Sequence, residues 1–196
     1  MGRASALKLG MWIFLLSDAF SFAGLLLAYG VLRAAAPTWA QPGEPEFGIN
    51  FTAGLTFLLI CSSVTMVMAV ASCQAGNRGR TLAFLGATIL GGVLFLCGQY
   101  QEYFGIAGAG LIEEGLRFGH SHRATTFYLI TSFHGLHVFT GVVIMTVIFV
   151  KTALGRYDNG KHDAIEATGL FWHFVDLVWI LVFTFVYLIP EAGPAS

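Results

Sequence analysis

The chain has 196 residues, of which 56% are hydrophobic and only 11% are charged, and its formal net charge is −1. Soluble domains carry about 25% charged residues, so this composition indicates a membrane protein. The nearly balanced charge provides no basic surface, and the sequence contains no phosphate-binding or DNA-reading motif. We therefore expect no nucleic-acid partner.

Five apolar runs predict five membrane-spanning helices, at about 11–32, 51–73, 81–101, 126–150 and 167–189. About 20 residues suffice for a helix to cross a hydrocarbon core of about 30 Å, and every run is long enough. The first run follows Arg3 and Lys8, as a signal peptide would, but it is longer than a signal core and contains Asp18. We therefore predict that it is a span of the mature protein.

Basic residues between the runs predict the orientation. The side of the N-terminus collects seven basic residues and the opposite side three, and basic residues concentrate on the cytoplasmic side. The sequence thus predicts an all-α integral membrane bundle with a cytoplasmic N-terminus and an external C-terminus. Residues 1–196 form one predicted domain, in which the proline-containing loop 33–50 cannot be helical throughout.

The three cysteines lie inside apolar runs and form no CxxC pair. They are Cys61, Cys73 and Cys97. A free cysteine in such a setting behaves as a small apolar side chain, so we predict that all three are core residues.

Polar side chains inside the spans or at their ends are the informative ones, because they must face protein, water or one another. In chain order they are Asp18, Gln99, Glu102, His134, His137, Glu166, His173 and Asp176. Counting residues from the span ends places Asp18 at a depth where it reaches His173 or His137. Glu102, at the end of the third span, is predicted to be too far from Asp18 to pair with it.

Small residues form a stripe beside Asp18 on the first span, at 4, 3, 4 spacing: Ser17, Ser21, Gly24 and Ala28. Such a stripe lets another helix approach closely. We favour helix packing alone, and the alternative is an interface next to a protonatable carboxyl. The glycines of the third span, Gly86, Gly91, Gly92 and Gly98, are also predicted to serve packing.

Two histidine pairs raise the alternative of a metal site, since HxxH on the fourth span faces HxxD on the fifth. Di-metal carboxylate bundles use ExxH pairs and several converging glutamates, and HExxH is absent. A haem between His137 and His173 is geometrically conceivable. We favour hydrogen-bonded histidines and predict no metal site. No motif indicates a catalytic nucleophile, so we also predict no catalytic residue.

The sequence resembles subunit III of the haem–copper terminal oxidases. The resemblance rests on "TSFHGLHVFTG" followed by "EATGLFWHFVDLVWILVFTFVYL", and on "GMWIFLLSDAFSFAGLLLAY", "QYQEY" and "TTFY" in the family's order. It covers all five spans. Longer family members have seven spans, so this chain is similar to the short bacterial form, which lacks the first two.

The resemblance implies a noncatalytic subunit of a proton-pumping oxygen reductase in the aerobic respiratory chain, located in the bacterial inner membrane. Haem and copper would be in partner subunits I and II. This subunit would pack on subunit I, bind phospholipid and support proton uptake and oxygen access; subunit II and other respiratory complexes are further implied partners. The electron donor, cytochrome c or quinol, stays open.

The resemblance also implies roles by position. Asp18 would be the buried acid, His134 and His137 the HGLH pair, His173 and Asp176 the polar pair of WHFVD, and Glu102 and Glu166 the acids at span ends. Two alternatives remain at this point: a subunit-III-like protein that accompanies nitric oxide reductase, and a free-standing membrane haem or metal enzyme.

Overall fold

The computed structural model describes residues 6–105, 110–157 and 162–189. Within these ranges the chain forms helices and turns but no strand. The helices are α1 (Ala6–Ala35), α2 (Ile49–Gln74), α3 (Arg78–Phe104), α4 (His122–Ala153) and α5 (Asp163–Val182), which continues as a π-helical segment, Phe183–Leu188. All five are long and apolar enough to span a membrane. The predicted all-α fold with five spans is confirmed, and the chain is a multi-pass membrane protein.

Helices α1 to α4 extend beyond their predicted apolar runs at both ends, because helical hydrogen bonding continues into the polar residues that flank a span. Helix α5 begins before its run but its π-helical segment ends at Leu188, within the run. Side-chain caps set two of the helix starts: Asn77 accepts a hydrogen bond from the Arg80 N–H at α3, and Ser121 accepts one from the Ala124 N–H at α4. Both satisfy an amide that the first turn leaves unpaired. The loop between α1 and α2 is irregular after Ala35, as its prolines predict.

Helix α5 lies at the centre of the bundle, where it contacts α1, α2 and α4. Its two indoles, Trp172 and Trp179, are the largest fully buried side chains among the described residues. Helix α1 is peripheral: only 17% of its most apolar stretch is buried, against 56% for the last span. Its outer face is therefore available to lipid or to another chain.

Glycines of α3 permit the tightest contacts in the bundle. A Cβ at Gly92 would lie 2.7 Å from both the Trp172 ring and a Val142 methyl group, and a Cβ at Gly91 would lie 2.8 Å from the Ser62 Cβ. These distances are shorter than ordinary contacts between non-bonded carbon atoms, which are about 3.5–4.0 Å. The predicted packing role is thus confirmed at these positions.

The prediction for the cysteines is correct for one and wrong for two. Cys73 is buried, whereas Cys61 and Cys97 are exposed on the surface of the chain. The reason is that a membrane span is apolar on its lipid-facing side as well as toward the core, so an apolar neighbourhood in sequence does not establish burial.

The two ends of the bundle are held by different polar contacts. At the end where α1 begins, called the N-terminal end here, Lys8 forms an ion pair with Glu166, and the Gln74 side-chain amide donates to Glu166 over 2.8 Å. At the opposite, distal end, Arg33 donates to the Ile189 carbonyl oxygen over 3.1 Å.

Candidate functional site

The central polar contact joins α1 to α4. Oδ1 of Asp18 lies 3.1 Å from Nε2 of His137, and both side chains are largely buried, with 8% and 12% of their surface exposed. This answers the question left open by residue counting, because the carboxyl pairs with His137 and not with His173.

The geometry of His137 requires one proton between the two side chains. Its Nδ1 lies 2.7 Å from the carbonyl oxygen of Phe133 and therefore donates a hydrogen to it. Nε2 and Oδ1 of Asp18 then share one further proton, carried either by a neutral carboxylic acid or by an imidazolium. The pair, called the Asp18–His137 clasp below, is thus a holder for one proton in either form.

Aromatic rings surround the clasp. Ring centroids of Phe22 and Phe133 lie 5.2 Å and 4.7 Å from that of His137. Apolar surroundings strengthen the attraction between the two groups and make an unpaired charge costly there. Breaking the clasp by removing one partner is therefore more disruptive than replacing both.

His134 has different surroundings although it lies one turn from His137. It is fully buried, and its ring packs 4.8 Å from Trp179 and 5.7 Å from Phe95, measured between centroids. Within the part of the chain that the structure describes, neither of its ring nitrogens has a hydrogen-bond partner. The two histidines of HGLH therefore serve different contacts.

The glycine of HGLH permits a close approach from α3. A Cβ at Gly135 would lie 2.7 Å from the amide oxygen of Gln99, whose Nε2 donates to the Thr131 carbonyl oxygen over 2.7 Å and to the Tyr103 hydroxyl over 3.0 Å. The amide thus ties α3 to the turn that carries His134.

The polar pair of α5 faces α2 instead of α1. Nδ1 of His173 lies 2.6 Å from the Ser63 hydroxyl oxygen. Asp176 is buried, and its Oδ1 has no hydrogen-bond partner among the residues described. The alternative pairing of Asp18 with His173 is wrong because His173 projects from another side of α5.

The two span-end acids lie at opposite ends of the bundle. At the distal end Glu102 accepts hydrogen bonds from the Thr52 and Tyr187 hydroxyls, each over 3.1 Å, and so joins α2, α3 and the π-helical segment. Glu166 is at the N-terminal end with Lys8. Glu102 is not a partner of Asp18, as predicted.

The small-residue stripe lies on the uncovered side of α1. Ser17, Ser21, Gly24 and Ala28 are all exposed, and a Cβ at Gly24 would meet nothing within 4 Å. The serine hydroxyls donate to backbone carbonyl oxygens of their own helix. Close helix packing along this stripe therefore remains a prediction, which would require another chain.

Sequence reasoning missed Arg123, one member of a buried ion pair. It is 1% exposed, donates to Glu44 Oε2 over 3.1 Å and to the Pro45 carbonyl oxygen, and lies 4.3 Å from the centre of the Phe47 ring. Counting basic residues had treated it as an ordinary loop charge. The sequence offered one indication of this pair: Arg123 lies just before an apolar run, and the proline-containing loop on the same side of the membrane carries acidic residues.

The predicted polar residues thus form five separate contacts and not one cage. Within residues 6–105, 110–157 and 162–189, no group of three or more histidine, cysteine or acidic side chains is arranged to hold a metal ion. What the central contact can do chemically is hold a proton between α1 and α4 and fix the position of α1.

The chain is similar to a known family and to several proteins that carry its name. The family model described as cytochrome c oxidase subunit III matches residues 2–190. The chain is 34% identical over 189 residues to cytochrome c oxidase subunit 3 of Synechocystis, covering 96% of this chain and 78% of the relative. It is 31% and 33% identical to the probable cytochrome c oxidase subunit 3 of Nocardia farcinica and of Mycobacterium leprae, covering 96% of this chain and 91% of each relative.

Proposed function

Since the chain belongs to the cytochrome c oxidase subunit III family, we propose that it is the noncatalytic subunit III of a proton-pumping haem–copper oxygen reductase. Family membership places it in an oxidoreductase complex with other oxidase subunits. The names of the relatives do not favour the nitric oxide reductase alternative. The free-standing haem or metal enzyme has no support from the separate polar contacts.

The proposal extends to the setting of the subunit. Subunit I is its main contact, subunit II and other respiratory complexes are further partners, and those two subunits carry the haem and copper. The membrane is the bacterial inner membrane, the N-terminus is cytoplasmic, and phospholipid binds to the chain. The uncovered face of α1 supports this arrangement, because it offers a small-residue stripe to an adjoining helix or lipid.

The Asp18–His137 clasp is the observation that carries a function for this chain. It holds one proton in an apolar setting, and Asp18 lies next to the exposed stripe of α1. We propose that the clasp keeps α1 in position against its partner subunit and supports proton uptake by the complex.

Replacing Asp18 tests this role in the intact complex. Asp18→Ala removes the carboxyl, and Asp18→Asn keeps a side chain of the same size that cannot exchange a proton at neutral pH. Both variants should retain haem while lowering the number of protons pumped per electron or shortening the active lifetime during turnover. Thr184→Ala, at an exposed position outside both the clasp and the stripe, is the control and should behave like the wild type.

The measurements are haem content by optical spectrum, proton release by a pH electrode, and loss of activity with turnover. Haem loss from the Asp18→Ala complex would contradict a noncatalytic role for this subunit. Wild-type pumping and lifetime in both Asp18 variants would contradict a role for the clasp. Co-purification of a haem–copper subunit with the tagged chain tests the assignment itself, independently of the clasp.

A further inference from the structure

A cavity of about 350 Å³ opens at the N-terminal end of the bundle, far from the clasp. It lies where α2 ends, α3 begins, α4 ends and α5 begins. The side chains that matter here are those of Cys73, Thr81, Thr152, Tyr157 and His162. The volume is within the range of small-molecule sites, which start at about 300 Å³.

Two of these side chains form a thiol–imidazole pair. Sγ of Cys73, in the last turn of α2, lies 3.2 Å from Nδ1 of His162, the residue that precedes α5. The carbonyl oxygen of His162 accepts the Glu166 N–H over 3.0 Å and so closes the first turn of α5. The backbone of His162 is therefore fixed by the first turn of α5.

The other polar groups of the cavity wall form contacts of their own. The Gln74 side-chain amide donates to Glu166, and the Arg78 guanidinium donates to the Ala153 carbonyl oxygen. The hydroxyls of Thr81 and Thr152 donate to carbonyl oxygens of their own helices, over 3.0 Å and 2.9 Å. Burial, and then the neighbouring Cys73 thiol, raise the pKa of Tyr157 above its usual value, so its phenol stays neutral. The thiol–imidazole pair is thus the reactive feature of the cavity.

We propose that Cys73 is a thiol-modification site that reacts with low-molecular-weight disulfides entering this cavity, with His162 as its general base. In the tautomer with Nδ1 unprotonated, the imidazole takes the thiol proton while Sγ attacks one sulfur of the disulfide. A bond forms between Sγ and that sulfur, the original S–S bond breaks, and the departing thiolate takes the proton. The products are a mixed disulfide on Cys73 and one small thiol.

The local setting distinguishes Cys73 from the other two cysteines. A thiolate is the nucleophile in exchange, so a neighbouring base accelerates the reaction. Cys61 and Cys97 lie on the exposed surface of α2 and α3, which the membrane or a partner chain would cover. Cys73 instead lines a cavity next to the turn between α2 and α3.

The test uses the full chain in detergent with Cys61→Ser and Cys97→Ser, which leave one thiol. The probe is bis(2-hydroxyethyl) disulfide, a small neutral reagent, and the mixed disulfide is followed by intact-protein mass spectrometry at pH 7. We expect Cys73 to react faster in the folded chain than in the same chain unfolded in SDS. His162→Gln should slow the folded reaction by at least about tenfold, and His122→Gln, at the distal end, should leave it unchanged.

Either of two results would overturn the proposal. One is a Cys73 that the fold protects, so that the unfolded chain reacts faster. The other is an equal rate with and without His162. If His162→Gln does not fold, the folded-against-unfolded comparison decides alone. Neither outcome depends on whether the chain assembles with an oxidase.

Discussion

Replacing Gly92 by alanine should destabilise the bundle through one unavoidable clash. The new Cβ would lie 2.7 Å from the fully buried Trp172 ring and 2.7 Å from a Val142 methyl group. Ordinary carbon–carbon contacts are about 3.5–4.0 Å, so two helices must retreat by about 1 Å. Overpacking of a filled core costs about 1–3 kcal/mol, whereas alanine gains up to about 1 kcal/mol over glycine in helix propensity.

Gly86→Ala on the same helix separates these two contributions. Its Cβ would lie 3.6 Å from the Phe149 ring, an ordinary contact. Both variants gain the same helix propensity, so their difference is the overpacking cost alone, about 1–3 kcal/mol. We expect Gly86→Ala to match or exceed wild-type stability and Gly92→Ala to fall below Gly86→Ala by that amount.

The assay is reversible unfolding in mixed micelles with increasing SDS, followed by tryptophan fluorescence, to which Trp172 at the junction contributes. A Gly92→Ala variant as stable as Gly86→Ala would refute the reasoning. It would mean that the contact between α3 and α5 is looser than the structure shows.

Two further predictions concern the distal end, and the same unfolding assay measures both. Arg123→Met should lower the free energy of unfolding by about 3–5 kcal/mol, because it leaves the buried Glu44 carboxylate without its guanidinium. Adding Glu44→Gln should recover part of that loss, and no recovery would contradict the pairing. Tyr187→Phe removes one of the two hydroxyl donors to Glu102 and should lower the free energy of unfolding by about 1–2 kcal/mol. Unchanged stability would show that the contact contributes nothing.

The number and order of the spans could be predicted from the sequence because hydrocarbon thickness imposes helix length directly. Hydrophobicity fixes how deep a residue lies. It does not fix which way a side chain points around its helix, because in a membrane the outside of the bundle is as apolar as the inside. This ambiguity explains why Cys61 and Cys97 were predicted to be core residues although both are exposed.

The same limit explains the candidate site. Depth alone admitted both His173 and His137 as partners of Asp18, and rotation about α5 decides between them. His173 projects toward Ser63 of α2, a pairing that only the packing of α5 between α1 and α2 reveals.

Contacts that depend on the path of a loop could not be predicted from the sequence, for a further reason. Arg123 is buried because the loop between α1 and α2 returns over the start of α4 and brings Glu44 to it. Cys73 meets His162 because α5 begins beside the end of α2. Neither contact produces a repeating pattern of residues that could be recognised in the sequence.

Helix α1 has a single permitted register against the bundle. Its polar contacts come from Lys8, Asp18 and Arg33, which reach α5, α4 and the end of the π-helical segment in turn. At 1.5 Å per residue the successive intervals are about 15 Å and 22 Å. A slip by one turn, about 5.4 Å, would break all three contacts together. The depth and the rotation of α1 are therefore fixed within this chain, so its uncovered side is already oriented before a partner binds.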